Sequence, residues 1–438
     1  MSRSAKVKGP TTIKGSLSVP GDKSISHRAA LLASLANGTS TIKGYSSGAD
    51  CAATLDCLRR LGITTEIGNG TLNINGKGMT GYGASINPAI LDAANSGSTM
   101  RMISGVLAAQ PFVSIIDGDA SLRRRPMNRI IEPLRLMGAE IVARDTSFPP
   151  LTITGTRLRS IEYSSPVASA QVKSCVLLAG LFAQGRTRVR EPYQSRNHTE
   201  LMLPAFGVKV QQDDDWISVE GPAELLPASY TVPGDMSSAA FFAAAAAMLP
   251  GSALEIRDVN LNPTRTALLE VLEQLGAKIE RTNLSTIGGE TNGTISVSSD
   301  GLRAETGGTM IRGRIIPKLI DELPMLAVVA TQTEGRIEIR DARELRIKES
   351  DRIRKIIDCI RALGGRIEEF DDGFAIEGPQ KLRGARLDSA GDHRIAMAFS
   401  VAGLAASGST EIVDSECVAV SFPEFYDVLK TLVVSDAA

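Results

Sequence analysis

The chain has 438 residues, of which 43% are hydrophobic and 22% charged, with 41 Gly and 20 Pro. These values lie near the averages for globular proteins and exclude a disordered or collagen-like chain. The 48 Lys and Arg against 49 Asp and Glu leave a net charge of -1, so no overall positive field attracts nucleic acid or an anionic membrane. We therefore expect neither as a partner, and we expect anionic ligands to be bound by local clusters of side chains.

The cysteines and the apolar segments indicate the cellular compartment of the protein. The five Cys are scattered and form no Cys-x-x-Cys pair, which predicts reduced thiols in a cytoplasmic protein. The first residues contain no apolar leader-like core, and the longest apolar run, 239–249, is shorter than the roughly 18 residues of a membrane span. No His or Cys spacing matches a metal site, so we expect no metal.

A pattern of helices and strands recurs six times along the chain. Each copy begins with a polar residue able to cap a helix, followed by a run of small and apolar residues and a Gly or Pro that ends the helix. Each such helix is followed by a short β-branched strand and then an amphipathic helix, so the apolar helix is expected to be buried on all sides. We predict six α/β units. Their apolar helices are, in chain order, 22–38, 95–111, 169–185, 235–251, 321–335 and 392–408.

The six units fall into two groups of three. The sequence Val-Pro-Gly-Asp precedes the first apolar helix and again the fourth. Each Pro-Gly turn is a place where the chain can cross between two globular halves with a ligand-binding cleft between them. We predict crossings near Pro20-Gly21 and Pro233-Gly234, although two ordinary strand-to-helix turns are the alternative. The predicted domains are 21–233, and 1–20 together with 234–438.

Polar and charged residues gather at the N-termini of the predicted apolar helices. A helix N-terminus offers unpaired N–H groups and the positive end of a dipole, so with Arg, Lys and Ser side chains it can hold phosphate or carboxylate. Any one cluster alone would indicate a helix cap or a solvated turn, but recurrence at equivalent places favours a site for several anions. The residues are Lys23, Ser24 and Arg28; 95–98; Ser169, Ala170 and Gln171; Asp321; and 392–394. Further clusters lie at a second place in the unit, the loops between a strand and the amphipathic helix, at 123–129, 195–198 and 346–352.

Two carboxylates and two lysines are candidates for acid–base chemistry. A carboxylate beside Lys or Arg stays ionised and can accept a proton, while burial can keep another one protonated, and Asp321 and Glu349 are the candidates. Lys23 and Lys348 are the candidate ammonium groups. The three His are widely separated, and we interpret them as structural. A Gly-x-Ser-x-Gly motif also allows a serine hydrolase with Ser46 as its nucleophile, although the equivalent loops of the other units lack the Ser.

Several ordered motifs resemble those of one enzyme family. They are Gly21–Arg28, Asn95–Gly97, Arg125–Met127, Ser169–Gln171, Arg346–Arg352 and Gly391–Arg394. In this order, and spread over the whole chain, they are similar to the signatures of the 5-enolpyruvylshikimate-3-phosphate synthases, or 3-phosphoshikimate 1-carboxyvinyltransferases. The resemblance implies an α/β (α+β) fold, a two-domain inside-out α/β barrel of six βαβαββ units, with three units in each domain and the domains closing on the substrates.

The resemblance also implies the reaction. The 5-hydroxyl of shikimate 3-phosphate attacks the central carbon of phosphoenolpyruvate, the tetrahedral adduct expels inorganic phosphate, and an enolpyruvyl ether remains. These two small molecules are the expected partners, and no cofactor takes part. The reaction belongs to the shikimate pathway of aromatic amino-acid biosynthesis, the target of glyphosate. Since the sequence shows no obvious dimer stripe, we expect a monomer.

Residue roles follow from the resemblance at matching positions. Asp321 would orient or deprotonate the attacking hydroxyl, Glu349 would carry the proton to and from the methylene carbon, and Lys23 would assist the departure of phosphate. The two carboxylates could exchange these roles. The expected ligands of phosphoenolpyruvate are Lys23, Gly97, Arg125, Gln171, Arg352 and Arg394. Those of shikimate 3-phosphate are Lys23, Ser24, Arg28, Ser169, Ala170, Gln171, Arg196, Asp321 and Lys348.

Two departures and two rival functions accompany the resemblance. Some members carry a Lys where this chain has Val420, so that contact is expected to be missing or supplied elsewhere. The segments Ser169–Lys173 and Ser195–His198 resemble the branch of the family in which some members tolerate glyphosate. Tolerant members can carry Ala at the position of Gly97, so the glycine in this chain favours sensitivity. Enolpyruvyl transfer to UDP-N-acetylglucosamine is the nearest alternative, but that enzyme normally has a Cys in the loop 123–129, where this chain has none. An inactive anion-binding module is the other alternative.

Overall fold

Five apolar helices of the computed structural model, which describes residues 3–83 and 88–434, begin after a polar capping residue. Asp22, Ser96, Ser169, Asp235 and Asp392 each accept a hydrogen bond from a backbone N–H in the first turn of an apolar helix. In the described residues the helices are α1 (Lys23–Leu35), α2 (Ala49–Arg60), α3 (Gly97–Leu107), α4 (Asn128–Leu136), α5 (Ala170–Gly180), α6 (His198–Met202), α7 (Met236–Met248), α8 (Ala267–Gln274), α9 (Ile316–Leu319), α10 (Leu323–Gln332), α11 (Arg352–Ala362), α12 (His393–Ala405) and α13 (Phe425–Leu432).

Two of these helix starts differ from the prediction. The second apolar helix is capped by Ser96 rather than Asn95. The fifth begins after Glu322, which makes no side-chain cap, and Asp321 therefore lies in the turn before α10. Because Asp321 does not cap the helix, its carboxylate is available for another partner.

The strands form short sheets. In the described residues they are β1 (Ser4–Gly9), β2 (Lys14–Ser18), β3 (Asn37–Lys43), β4 (Thr64–Gly68), β5 (Thr71–Lys77), β6 (Ala89–Asp92), β7 (Val113–Asp117), β8 (Glu140–Arg144), β9 (Phe148–Thr154), β10 (Glu162–Ser164), β11 (Gly185–Arg190), β12 (Val210–Asp213), β13 (Trp216–Gly221), β14 (Ser229–Thr231), β15 (Ala253–Asn260), β16 (Lys278–Ile287), β17 (Glu290–Ser298), β18 (Thr309–Ile311), β19 (Gly335–Ile339), β20 (Glu368–Phe370), β21 (Gly373–Gly378), β22 (Arg386–Asp388) and β23 (Gly408–Val413).

The strands of the described residues form six sheets of one repeated design. Their orders are β14-β3-β5-β4, β6-β7-β9-β8, β10-β11-β13-β12, β16-β17-β15-β2, β18-β19-β21-β20 and β1-β23-β22. Each sheet has one parallel strand pair, such as β6 with β7, and an antiparallel neighbour beside it, such as β9. The predicted fold class, a two-domain α/β fold of six βαβαββ units, is confirmed.

Strand exchange completes three of the sheets. β2 precedes α1 in the sequence but pairs in parallel with β15, and β14 precedes α7 but pairs in parallel with β3. In the sixth sheet the antiparallel neighbour of β23 is β1, from the start of the chain. The last repeat therefore needs no hairpin of its own.

The chain divides into two compact units. The terminal unit comprises the described residues up to Pro20, then Pro233–Ser285 and those from Thr291 onward; the inserted unit comprises Gly21–Val232 and Thr286–Glu290. Pro233 and the segment 286–290 are the differences from the prediction, which placed Pro233 in the first domain and all of 234–438 in the second. Gly21 lies at the first crossing, where a Cβ atom would stand 1.7 Å from the carbonyl oxygen of Gly44, so only glycine fits.

The apolar helices form the centre of each unit. All residues of α7 are buried, and its Phe241 and Phe242 pack against Phe422 and Phe425 with ring centroids 5.6–6.1 Å apart. Burial of each such ring stabilises the fold by about 1.5–3 kcal/mol. Within 3–83 and 88–434, no helix combines the length and the apolar character needed to cross a membrane.

Candidate active site

The inserted unit brings most of the predicted anion-binding residues to the N-termini of α1, α3 and α5. We call Lys23, Ser24, Gly97, Arg125, Ser169, Gln171 and Arg196 the anion cluster. Lys23, the first residue of α1, lies with its Nζ 2.9 Å from Asp50 Oδ2 at the start of α2. Arg196 Nη1 donates to Ser24 Oγ at 3.3 Å. The α1 end of the cluster therefore carries two cations and a hydroxyl close together.

Gln171 connects α5 to α3. Its Oε1 accepts a hydrogen bond from Arg101 Nη1 at 2.6 Å, and its Nε2 donates to Ser98 Oγ at 2.8 Å. Gly97, the first residue of α3, lies beside this contact, because a Cβ atom there would stand 2.8 Å from Arg101 Nη1 and 3.5 Å from Arg125 Nη1. Two guanidinium groups thus border the backbone of Gly97, where the dipole of α3 also favours an anion.

Arg125 and Ser169 are held by local contacts. Arg125 Nη2 donates to Asn95 Oδ1 at 2.7 Å and to Ser121 Oγ at 3.1 Å, which directs the guanidinium toward the start of α3. Ser169 caps α5, and its own N–H donates to Glu191 Oε1 at 2.7 Å. These residues are fixed before any ligand arrives, so little ordering entropy is lost when an anion binds.

Arg28 is bonded to protein groups on three helices. Nε donates to Thr199 Oγ1 at 2.7 Å, Nη1 to the Ser24 carbonyl at 2.7 Å, and Nη2 to Ser174 Oγ at 2.7 Å and the Ala170 carbonyl at 3.4 Å. Burial lowers its pKa to about 10, although the charge of Glu200 opposes that shift. Arg28 and Ala170 therefore connect α1, α5 and α6 in this structure.

A buried chain of hydroxyls joins His27 to the cap of α3. His27 Nδ1 lies 2.7 Å from Thr54 Oγ1, which lies 2.7 Å from Thr99 Oγ1, and that hydroxyl donates to Ser96 Oγ at 2.8 Å. Burial, with the nearby charges of Lys23 and Arg28, lowers the pKa of His27 well below its usual value. His27 is therefore neutral in the folded protein and stays so in weak acid.

Replacing His27 with Gln should reduce the fall in the free energy of unfolding that occurs as the pH is lowered. Below about pH 6.5 the unfolded chain protonates this His while the folded protein does not, so stability falls by up to about 1.4 kcal/mol per pH unit. Gln keeps a side-chain hydrogen bond to Thr54 within reach but cannot titrate. The free energy of unfolding, measured at pH 7.5 and 5.5, should fall further in wild type than in His27→Gln. Equal losses in the two proteins would contradict the assignment.

The terminal unit holds a second group of predicted residues around Arg352, which begins α11. We call Asp321, Glu349, Arg352 and Asp392 the carboxylate cluster. Arg352 Nε donates to Asp392 Oδ2 at 2.8 Å, Nη2 to Glu349 Oε2 at 2.7 Å, and Nη1 to Asp321 Oδ1 at 3.4 Å. Burial works to lower the pKa of Arg352, but the charges of Asp392, Glu349 and Asp321 together raise it above its usual value. One permanent cation therefore holds both predicted proton carriers.

The three carboxylates differ in their access to solvent. Asp392 is fully buried and also caps α12, whereas the side chains of Asp321 and Glu349 are each 20% exposed, and that of Arg352 only 1%. Asp392 can therefore serve as a fixed counter-charge, while Asp321 and Glu349 can reach a substrate.

Arg394 and Lys348 lie near the carboxylate cluster in the sequence but have other partners. Arg394 Nη1 donates to the Ser237 carbonyl at 3.3 Å and lies 3.9 Å from Glu322 Oε1, and its guanidinium stands 5.8 Å from the ring centre of Phe241. Lys348 Nζ lies 3.2 Å from Glu344 Oε1. Glu322 also accepts a hydrogen bond from the Ser237 hydroxyl. The buried pair Glu322 and Ser237 therefore holds the guanidinium of Arg394 in place.

Sequence reasoning missed several residues that contact the predicted ones. Asp50, the partner of Lys23, lies in the first turn of an amphipathic helix, where an acidic residue indicates only a favourable helix dipole. Arg101, the partner of Gln171, is one turn into α3, inside an otherwise apolar run. Glu322 carries no signal beyond its place next to Asp321. Arg101 lies one helical turn beyond the Asn95–Gly97 motif and was within reach of sequence reasoning, whereas Asp50 lies on a different helix from every motif.

Two other sequence features have a structural explanation. Ser46 Oγ accepts a hydrogen bond from the Gly48 N–H, and the Ser46 N–H donates to Ser26 Oγ, as in a tight turn before α2. Val420 ends a 3₁₀ turn (Ser415–Val420), and the sequence from 414 to 429 contains no Lys or Arg to replace the missing cation.

No group of His, Cys, Asp and Glu in 3–83 and 88–434 could hold a metal ion.

The fold and the two clusters together define a class of protein, a two-domain α/β protein with cationic residues at helix N-termini in one unit and carboxylates around a buried arginine in the other. A family model described as EPSP synthase (3-phosphoshikimate 1-carboxyvinyltransferase) matches residues 7–429. The 3-phosphoshikimate 1-carboxyvinyltransferase of Koribacter versatilis is 49% identical over 433 residues, 98% of this chain and 99% of that protein, and that of Solibacter usitatus is 50% identical over 428 residues, 98% and 99%.

Solved structures give the same result. The EPSP synthase of Acinetobacter baumannii is 41% identical, with a TM-score of 0.86 over 99% of both chains. The chain belongs to the EPSP synthase family. The resemblance recognised in the sequence is thereby confirmed.

Proposed function

We infer that this chain is a transferase that moves the enolpyruvyl group of phosphoenolpyruvate to the 5-hydroxyl of shikimate 3-phosphate and releases inorganic phosphate. The match of the family model over residues 7–429 carries this conclusion. The reaction is a step of aromatic amino-acid biosynthesis by the shikimate pathway. Transfer to UDP-N-acetylglucosamine is not favoured, since the relatives and the solved structure are all named for the shikimate reaction.

The anion cluster supplies the groups for substrate phosphates and carboxylate. We assign Lys23, Arg125, Gln171 and the Gly97 backbone to phosphoenolpyruvate, because two guanidinium groups border Gly97 at the start of α3. We assign Ser24, Ser169, Gln171 and Arg196, with Lys23, to shikimate 3-phosphate. The contact between Arg196 and Ser24 supports this assignment, as does the position of Ser169 and Gln171 at the N-terminus of α5. Arg28 and Ala170 support this binding by holding α1 against α5.

The carboxylate cluster supplies the proton carriers. Asp321 acts on the attacking hydroxyl, and Glu349 protonates the methylene carbon and later removes a proton from the resulting methyl group as phosphate leaves. Both carboxylates are bonded to Arg352 and partly exposed, which supports a role for the arginine in holding them at a fixed spacing. The contacts of Arg352 and Arg394 with phosphoenolpyruvate, and of Lys348 with shikimate 3-phosphate, remain predictions. Exchange of the roles of Asp321 and Glu349 also remains open.

The release of phosphate tests the function directly. Inorganic phosphate formed from phosphoenolpyruvate is measured with shikimate 3-phosphate, with UDP-N-acetylglucosamine, and with no acceptor. We expect release only with shikimate 3-phosphate. Release with the nucleotide sugar would replace the acceptor, and no release in any of the three reactions would support an anion-binding module without activity.

We propose that the enzyme works as a monomer in the cytoplasm. The five cysteines are free, and four of them are buried, which is typical of a protein from a reducing compartment. Light scattering after size exclusion should give the 46.4 kDa of one chain. A mass near twice that value would contradict the monomer.

Replacing Gly97 with Ala should weaken phosphoenolpyruvate binding and weaken glyphosate inhibition more. The new methyl group would stand 2.8 Å from Arg101 Nη1, so this guanidinium must move and its 2.6 Å bond to Gln171 is strained. We expect KM for phosphoenolpyruvate to rise by about 3- to 10-fold, as when one hydrogen bond of about 0.7 to 1.4 kcal/mol is lost. Steady-state assays at varied glyphosate measure both effects. Wild type that is not inhibited by millimolar glyphosate would contradict the expected sensitivity.

A further inference from the structure

Lys173 lies on α5, two residues after the Ser169–Gln171 motif, yet none of the proposed substrate contacts uses it. Its side chain is only 4% exposed, and Nζ lies 2.8 Å from Glu191 Oε2 and 2.8 Å from Glu200 Oε1. Burial works to lower the pKa of Lys173, but the two carboxylates raise it above its usual value, so the group is charged in the folded protein. A buried ion triplet therefore lies directly behind the residues assigned to shikimate 3-phosphate.

Glu191 is the member of this triplet that contacts the substrate-binding elements. Its Oε1 accepts from the Ser169 N–H at 2.7 Å, and both carboxylate oxygens lie 2.7 Å from Ser195 Oγ. The Ser195 N–H donates to Oε2 at 3.4 Å. One carboxylate thus connects the N-terminus of α5 with the residue that precedes Arg196.

The charges of Lys173, Glu191 and Glu200 sum to zero only when Arg28 is added to them. Glu191 and Glu200 carry one negative charge more than Lys173, and in the described residues Glu200 Oε2 is buried without a hydrogen-bond partner. Arg28 is bonded to Thr199, the neighbour of Glu200, and interacts electrostatically with that glutamate. Four buried charged groups therefore form a neutral set that holds α1, α5 and the loop before α6.

We propose that Glu191, held by Lys173, is a positioning residue for shikimate 3-phosphate. It fixes the distance between the N-terminus of α5 and the guanidinium of Arg196. Both of these groups must bind the same anionic substrate. This inference rests on the proposed function. Misplacing a reacting or binding group by about 1 Å costs on the order of 100-fold in rate. Because Glu191 contacts elements assigned to shikimate 3-phosphate, its loss should weaken the binding of this substrate more than that of phosphoenolpyruvate.

The test compares Glu191→Gln and Glu191→Ala with wild type. Gln keeps an oxygen that can accept from the Ser169 N–H but loses the charge that attracts Lys173, whereas Ala loses both interactions. The matched control is Glu162→Gln, which removes a carboxylate from an exposed pair with Arg188 in the same unit. The dissociation constant of shikimate 3-phosphate is measured by calorimetry, KM for phosphoenolpyruvate by assay, and the melting temperature without ligand.

We expect the dissociation constant of shikimate 3-phosphate to rise about 3- to 10-fold in Glu191→Gln and at least about 30-fold in Glu191→Ala, in line with the loss of one or several buried hydrogen bonds. KM for phosphoenolpyruvate at saturating shikimate 3-phosphate should change less than about threefold. Glu162→Gln should match wild type in all three measurements. If Glu191→Ala does not fold, Glu191→Gln alone decides.

Three outcomes would overturn the proposal. One is a folded Glu191→Ala that binds shikimate 3-phosphate within about twofold of wild type, and another is equal weakening for both substrates with a lower melting temperature, which indicates a purely structural role. The third is no difference between Glu191→Gln and the control. Failure of wild type itself to bind shikimate 3-phosphate would instead refute the proposed function, so the two failures are distinguishable.

Discussion

Lys23→Met is expected to lower kcat by at least about 10³-fold, the largest effect of any single change in the anion cluster. The ammonium group would neutralise the leaving phosphate as charge develops on it, and such preorganised electrostatic stabilisation is commonly the largest contribution to catalysis. Asp50, at 2.9 Å, fixes the position of this ammonium. Methionine has a similar length without the charge, so the variant tests the charge rather than the volume.

Two further variants show whether the loss belongs to Lys23 itself. Asp50→Asn keeps the ammonium but loosens it, and we expect a smaller loss, about 10-fold, in single-turnover experiments. Lys278→Met makes the same chemical change at an exposed pair with Asp300 and should leave kcat unchanged. A Lys23→Met enzyme that retains a tenth of the wild-type kcat would remove Lys23 from the mechanism.

Asp321→Asn and Glu349→Gln are each expected to lower kcat by about 10²- to 10⁴-fold, the range for loss of a general acid or base. Both changes keep the shape of the side chain and an oxygen that can accept from Arg352, so the carboxylate cluster should keep its geometry. Substrate affinities should therefore change little, and the loss should lie in kcat. Retention of full activity by either variant would contradict its role.

The pH dependence of kcat distinguishes the roles of the two carboxylates. A group that must be deprotonated produces the acid limb of the profile, and one that must be protonated produces the alkaline limb. We expect the residual activity of Asp321→Asn to lose the acid limb and that of Glu349→Gln to lose the alkaline limb. The reverse result would exchange their roles, which the sequence left open, and profiles unchanged in both would exclude both assignments.

The helices and their caps could be predicted because they depend on neighbouring residues. Asp22, Ser169, Asp235 and Asp392 cap the helices that the sequence assigned to them, since a cap acts on N–H groups only two or three residues away. The start of the fifth apolar helix was placed too early, because Asp321 has the composition of a cap but bonds to Arg352 instead.

The strand exchanges could not be predicted from local pattern. β1 and β2 have the alternation of ordinary strands, and nothing in them indicates partners about 240 and 400 residues away, as the pairing with β15 and β23 requires. The crossing itself left a local sign in Pro20 and Gly21, because a turn without space for a Cβ must contain glycine.

The six-unit pattern, most of the helix caps and the family can be recognised in the sequence alone, because each depends on short-range chemistry or on ordered motifs. Other contacts become visible only in the folded chain: Lys23 pairs with Asp50, Gln171 bonds to Arg101, and Glu191 joins Ser169 to Ser195. These contacts form between side chains on different elements, and their distances are set by how helices and loops pack. A carboxylate in the sequence is the same residue whether it faces solvent or a buried lysine, and packing alone determines which of these it does.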